Sequence, residues 1–401
     1  MTFLFFLSIF CPIFLDTNLI YILGLGENRT TIAYIPMVLF ILIEIFKHNF
    51  NINKLSLAII IWGIVGFSFK HSIDQTDVFK RYLTFFIIPF LFYGYLDSIT
   101  IQQRKIIQKI LFLFLLTESC MAIFERLTFT TILDSDSYQV MKEGSAWTFR
   151  SSALLGHPLG NAMAISVINI FILCSKLKTK IKITSYFIAM ISLICFNERG
   201  NIIISFITSL PMLYFIYKNE SYRNKTMLKN ILLPLFCIAF YLLSSSDLGG
   251  RLFNVNHSQD GSILARIEAL KSFSHLNQID LLLGNPNNYD YLVNKMNLAG
   301  IENGIITILI YHGLIIGIPA LVLLFLFQNN ILNKSYSILP KLLILITFYG
   351  IGLTNPHIAN PYQWFIFISS YYAFCPIKYN KIPYENNVKI LRRMQCMHRD
   401  L

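Results

Sequence analysis

Apolar residues fall along this chain in long runs separated by shorter polar stretches. The runs recur at roughly 3–24, 31–46, 55–69, 79–96, 106–125, 158–175, 183–197, 200–217, 230–245, 303–327, 338–354 and 362–377. A helix needs about 20 apolar residues to cross the hydrocarbon of a bilayer. The pattern therefore predicts an all-α polytopic membrane protein with about 12 transmembrane helices, of which 55–69 and 183–197 are short for a full crossing. Two stretches, roughly 126–157 and 246–301, hold clusters of Gly, Asn, Asp and Ser and are too polar to cross. The expected organisation is one integral membrane domain over 1–377, with those two stretches as its large loops, and a basic tail over 378–401.

The charges between the runs alternate. One set of connections carries Lys47 and Lys54, then Arg104, Lys105 and Lys109, then Lys176, Lys178, Lys180 and Lys182, then Lys218, Arg223, Lys225 and Lys229, then Lys334 and Lys341, and finally the tail. By the positive-inside rule this set is cytoplasmic, which places both termini inside and the two large loops outside. The start, MTFLFFLSIFCPIFLD, lacks a basic region and a small-residue cleavage site, so residues 3–24 read as a first span and not as a removed leader. Asp16 within it is either an intramembrane carboxylate or a group reaching the outer interface.

Composition agrees with the pattern. Of 401 residues, 55% are hydrophobic and 13% charged, about half the charged content of a soluble domain, and the mean hydropathy is +0.57. That balance excludes a soluble domain, a disordered chain and a nucleic-acid binder, despite a net charge of +12. The seven cysteines show no C-x-x-C spacing, and most lie inside apolar runs as small core residues.

The kind of basic residue differs between the two sides. The cytoplasmic set holds sixteen lysines and five arginines; the outer set holds five lysines and seven arginines, namely Arg29, Arg81, Arg126, Arg150, Arg199, Arg251 and Arg266. Topology asks only for charge, whereas the planar guanidinium matches phosphate or carboxylate oxygens two at a time. The bias points to a phosphorylated ligand at the outer face; interfacial anchoring is the plainer alternative.

Three of these arginines have informative settings. In FRSSALLGHPLGNAMAIS (149–166), Pro158 suits the first position of a helix, whose positive end then faces outward beside Arg150 and His157. In NERGN (197–201), Arg199 stands at a second such helix start, or pairs locally with Glu198. In SQDGSILARIEALKSFSHL (258–276), helical spacing puts Ile263, Ile267, Leu270 and Phe273 on one arc with Arg266 in its middle, and Glu268, Lys271, Ser272 and His275 on the other side. A guanidinium pressed inward needs an anionic partner, either an internal carboxylate or a substrate phosphate.

These elements together resemble the O-antigen polymerase and O-antigen ligase superfamily. The outer R-x-x-x-x-x-G-H-P-x-x-x-A before a mid-chain span, the later E-R-G between two spans, the large loop with its Arg-bearing helix, the L-L-G-N-P-N-N of 282–288 and the H-G-L-I-I-G of 312–317 follow the family's order over roughly 145–320. The resemblance implies a GT-C-like, metal-independent membrane glycosyltransferase without cofactors in the bacterial inner membrane. It would join sugars carried on undecaprenyl pyrophosphate at the periplasmic face, for O-antigen, capsule or exopolysaccharide, with a flippase and a chain-length regulator as partners. It also implies that Arg150, Arg199 and Arg266 hold the pyrophosphate, with His157 and Asn303 positioning the sugar. Where ligases carry His-Asn after the large loop, this chain has Glu302-Asn303, which favours a polymerase over a ligase. Glu302 is the expected general base, or else it caps its own helix; Asp280 and Asp290 are further carboxylates in the same loop. A transporter is the rival from another class, but the runs carry few ionisable groups apart from Asp16 and Glu118.

Overall fold

The computed structural model describes residues 2–15, 29–47, 52–70, 75–97, 99–133, 149–222, 268–296 and 300–376, with Lys225, Thr226, Lys229, Asn230, Tyr241 and Leu298 between them. Regular structure among them is helical throughout. In chain order, α1 (Thr2–Phe14) packs on α2 (Arg29–Phe46), and α3 (Lys54–Ser68) precedes α4 (Gln75–Tyr82). A π-helical turn, Leu83–Ile87, joins α4 to α5 (Ile88–Leu96). The ring of Pro89 would strike the carbonyl of Phe85 in a regular helix, and one wider turn relieves that clash. Next come α6 (Ile101–Thr128), opened by a Thr100–Gln103 capping box, then α7 (Pro158–Cys174), α8 (Thr179–Cys195) and α9 (Arg199–Asn219). After a 3₁₀ turn at Ser272–His275 come α10 (Gln278–Leu283), α11 (Asn288–Lys295), α12 (Gly304–Ser335) and α13 (Ile338–Thr354). A second 3₁₀ turn, Pro356–Ala359, leads into α14 (Pro361–Phe374).

The span 230–245, the end of the span 3–24 with Asp16, and the tail over 378–401 lie outside the described residues. Of the described helices, α6, α9 and α12 are long and apolar enough to cross a membrane. α3 and α8, whose apolar runs are short, have 15 and 17 residues, but they do not stand apart: α1, α7, α13 and α14 have 13, 17, 17 and 14.

Two helices form the centre. Every residue of α7 is buried, as is every residue of α14 from Tyr362 to Phe374, and the two pack on each other. A helix apolar on all sides must be enclosed, and α6, α8, α9 and α13 enclose α7. Outward faces are apolar at helical spacing: Ile203, Ile207, Leu210 and Tyr214 on α9, and Ile315, Ile318, Val322 and Phe325 on α12, are all exposed. Such stripes are costly in water and natural in lipid.

Among the described residues, members of the two charge sets lie at opposite ends of this bundle. At one end Lys334 meets Asp97 at 3.4 Å, Arg104 donates to the Ala373 and Cys375 carbonyls, and Thr179 bonds Glu220. At the other end lie Lys70, Arg81, Arg126, Arg150 and Arg199, with the first residues of α7, α9, α12 and α14.

α12 is not one rod. Gly313, at φ 75° and ψ 167°, interrupts it. An unbroken helix would carry Gly304 about 46 Å from Ser335, yet Gly304 lies against the carbonyls of Asn355 and Gly352, and Gly352 stands about 21 Å along the antiparallel α13. The amino-terminal half of α12 therefore lies back over the bundle.

Candidate active site

The coil before α7 is held from below by α6. Glu118, Ala122, Glu125 and Arg126 share one face of that helix, and all are buried. The Glu125 carboxylate accepts the N–H groups of Ser152 (2.7 Å), Ala153 (3.0 Å) and Ile132 (2.8 Å), and Glu118 accepts that of Leu154 (3.1 Å). Ser151 Oγ donates to the Ala122 carbonyl, and Arg126 and Asn197 both donate to that of Phe149. Ala153 and Gly156 take left-handed backbone, at φ 40° and 69°, so the coil turns tightly. Glu118, read from sequence as an isolated intramembrane charge, is thus part of a loop clamp.

The coil ends at His157, which precedes Pro158 without giving its side chain to the helix start. Its Nδ1 instead lies 3.0 Å from Nε2 of His357, with ring centroids 4.5 Å apart. A Cβ on Gly160 would press on the His357 ring at 3.2 Å, so glycine leaves that ring its place. The 3₁₀ turn is pinned here as well: Asn355 accepts from the His357 N–H and donates to the Leu159 carbonyl, and Gln363 donates to that of Gly160. Burial, then His357, then Arg150 hold the His157 imidazole well below the ordinary histidine range; burial holds His357 at about 4.

Arg150, on the same coil, reaches Glu198 at 4.0 Å. Glu198 precedes Arg199, the first residue of α9, and Gly200 fits against Thr354. Ser205 donates to Ser166 at 2.8 Å, setting α7 and α9 side by side and pointing the same way. One turn back toward the helix starts lies Asn201, fully buried with neither amide atom hydrogen-bonded. A bare buried amide calls for a water or a ligand.

Asn303, expected to position a sugar, gives its side-chain oxygen to Ile306 N (3.1 Å) as the cap of α12. Glu302, the expected base, is therefore not the cap; it sits one residue earlier, half-buried. Arg266 lies outside the described residues. Of its segment, Phe273 packs inward on a small cluster with Ala269, Leu292 and Ile310, as the spacing predicts, whereas Leu270 is 67% exposed and Ser272, expected on the other side, is buried; Ile263 and Ile267 lie outside the described residues. Asp280 bonds Asn277 at 2.8 Å, and Asp290 lies in the first turn of α11.

The two glycine motifs after the large loop meet. A Cβ on Gly284 would overlap the backbone of Gly313, and the reverse holds, while both glycines take positive φ. Lys70 Nζ donates to the carbonyls of Leu283, Gly284 (2.8 Å) and Tyr311 (3.0 Å), capping the broken half of α12. Burial lowers this ammonium to about 8, with Asp280 opposing the shift. Arg81 stacks on the Tyr311 ring at 3.9 Å, and His312, caged by Tyr82, Phe85 and Phe86, bonds Tyr82 at 3.0 Å. A cavity of about 110 Å³ adjoins Lys70 and Asp280.

Of the residues expected from sequence, Arg150, His157 and Arg199 come together with the starts of α7 and α9. Among the described residues no three His, Cys, Asp or Glu side chains gather as a metal site would need. No family model and no curated protein matches this chain. Sequence reasoning missed His357, Asn201, Glu125 and Lys70. For His357 the one local signal is its place between two Asn-Pro pairs, which marks a turn and not a partner for His157.

Proposed function

We propose that the chain is a polysaccharide polymerase, a metal-independent membrane glycosyltransferase that joins repeat units carried on undecaprenyl pyrophosphate at the periplasmic face of the bacterial inner membrane. The observation that carries this reading is the meeting of Arg150 with Glu198 beside Arg199, where α7 and α9 begin side by side. Two guanidinium-bearing segments remote in sequence share one end of the bundle with two positive helix ends, a setting for an anion too large for one side chain. The charge pattern between the spans supports an extracytoplasmic position for that end.

In this mechanism the donor glycan leaves its diphosphate, and the guanidinium groups neutralise the charge that develops there. Glu198 holds Arg150 in place until the diphosphate competes for it. The acceptor hydroxyl loses a proton, and Glu302 and His157 are the two groups at this end suited to take it.

The test is the surface polysaccharide of cells whose only copy carries Arg150→Lys or Arg150→Ala. Both variants should reach the membrane, and both should lose the polymer ladder by about 10²-fold, leaving core capped with at most one unit. A normal ladder in the Lys variant rejects two-point recognition; normal ladders in both reject the site. Full-length polymer left on its carrier lipid would mark a ligase instead.

A further inference from the structure

We propose that α10 anchors the end of the large loop in the membrane surface: its face of Ile279 and Leu282, together with Phe69 at the end of α3, lies among phospholipids where headgroups meet acyl chains. The inference goes beyond the glycosyl-transfer reading and does not depend on it.

α10 has six residues, QIDLLL, and none is buried although four are apolar. Ile279 and Leu282 stand three apart, hence on one face, and are 71% and 45% exposed. A helix this short does not persist in water on its own. Polar bonds hold its two ends. Asn277 caps the start by accepting from Asp280 N at 2.7 Å, and Lys70 takes the carbonyls of Leu283 and Gly284 at the finish. Those bonds fix where α10 sits, and they leave its apolar face uncovered by protein among the described residues.

The depth of α10 follows from α12. Beyond the break at Gly313 the helix runs on to Ser335, and at 1.5 Å per residue Lys334 lies about 32 Å from Gly313. The hydrocarbon layer of a bilayer is about 30 Å thick. Lys334 belongs to the lysine end of the bundle, where it meets Asp97, so Gly313 stands at the opposite membrane surface. Gly284, the residue that ends α10, abuts the Gly313 backbone. The short helix is therefore held at the height where hydrocarbon gives way to headgroups.

The lipid-facing stripes lead up to it. On α12 the exposed residues nearest the break are Ile315, Ile318 and Val322; on α3, which packs beside α12, they are Leu57, Ile61 and Ile64. The α3 stripe ends at Phe69, 49% exposed, and Phe69 and Ile279 line one cavity of about 110 Å³. The apolar face of α10 thus continues a surface that lipid already covers. Its other flanks carry Asn277, Gln278 and Asp280, the polar half that a helix lying in the interface turns toward water. This continuity assigns the face to phospholipid and not to a protein partner.

The experiment uses the full wild-type chain in liposomes of phosphatidylethanolamine and phosphatidylglycerol. These are doped with a phospholipid carrying a diazirine either beside the headgroup or at the end of an acyl chain. Light turns the diazirine into a carbene that inserts into a neighbouring C–H bond, and mass spectrometry maps the adducts. The headgroup probe should mark 279–283 within about threefold of its yield at Ile315, and the chain-end probe should favour Val322 over 279–283 by about tenfold. In the double variant Ile279→Asp and Leu282→Asp, adducts on this segment should fall about tenfold while those on Ile315 and Val322 hold, which shows that the bundle is intact. An absence of lipid adducts on 279–283 overturns the proposal. Hydroxyl-radical oxidation in the same liposomes then tells the cause: free oxidation means a loop in water, and protection means a cover made by another part of this chain. Adducts undiminished by the two aspartates overturn it as well. None of these readouts requires polymer to form, so the anchor and the glycosyl-transfer reading stand or fall separately.

Discussion

At Glu125 one carboxylate accepts three backbone N–H groups, and two of them belong to the coil that carries Arg150 and His157. Glu125→Gln replaces one acceptor oxygen with an NH₂ that faces donors. The expected cost is about 1.5–3 kcal/mol, read as a lower unfolding midpoint in detergent, with a fall in polymer output as well if the proposed function holds. The histidine pair gives a second prediction. In the unfolded chain both rings return to about the ordinary 6.5, whereas His357 is held at about 4 and His157 is also depressed. Between those values the unfolded state binds more protons, so this stability is whole above about pH 6.5 and is lost as pH falls toward about 4. Unfolding midpoints from pH 7.5 to 4.5 should show that slope, and His357→Gln should flatten it. The place of Arg150 and His157 on the approach to α7 was legible in the sequence, because Pro158 announces that helix start. His357 was not, since its meaning depends on a contact across 200 positions of chain.

Helices were the easier inference, because an apolar run reports burial or lipid whatever its neighbours are. The break in α12 was hidden for the same reason: residues 303–327 read as one apolar run. Only the opposed Gly284 and Gly313 reveal it, at a φ and ψ that side chains rarely tolerate. The glycine-bearing stretches around 284 and 313 stand out separately in the sequence, but not as two halves of one joint. Gly313→Ala should cost about 1–3 kcal/mol in backbone strain alone, and Gly284→Ala should do at least as much harm because its Cβ meets main chain. Lys70→Met should act in the same direction, by leaving the carbonyls of Gly284 and Tyr311 uncapped. Folded yield and unfolding midpoint in detergent check all three; wild-type values for Gly284→Ala would show that the joint does not close.

For the whole molecule the decisive quantity is sidedness. The bundle gathers Lys70, Arg81, Arg126, Arg150 and Arg199 at one end and Arg104, Lys334 and Lys341 at the other, so a single orientation fixes every loop at once. Lysine-rich connections attract the anionic cytoplasmic leaflet and resist translocation. Under the proposed orientation that force acts on the second group and the arginine end faces outward, where the proposed lipid-carried donor would bring its own leaving group. Single cysteines placed at exposed positions make this measurable. Lys271→Cys, near the start of the described part of the large loop, should react with a membrane-impermeant maleimide in cells whose outer membrane has been opened. Lys180→Cys, in the first turn of α8, should react only after the inner membrane is broken. Both rest on a background in which Cys120, the exposed native cysteine among the described residues, is replaced by Ser. The reverse labelling pattern would put Arg150 and the histidine pair in the cytosol. There the same cluster would meet soluble nucleotide-linked sugars, and a reaction between two lipid-linked chains would lose its physical basis.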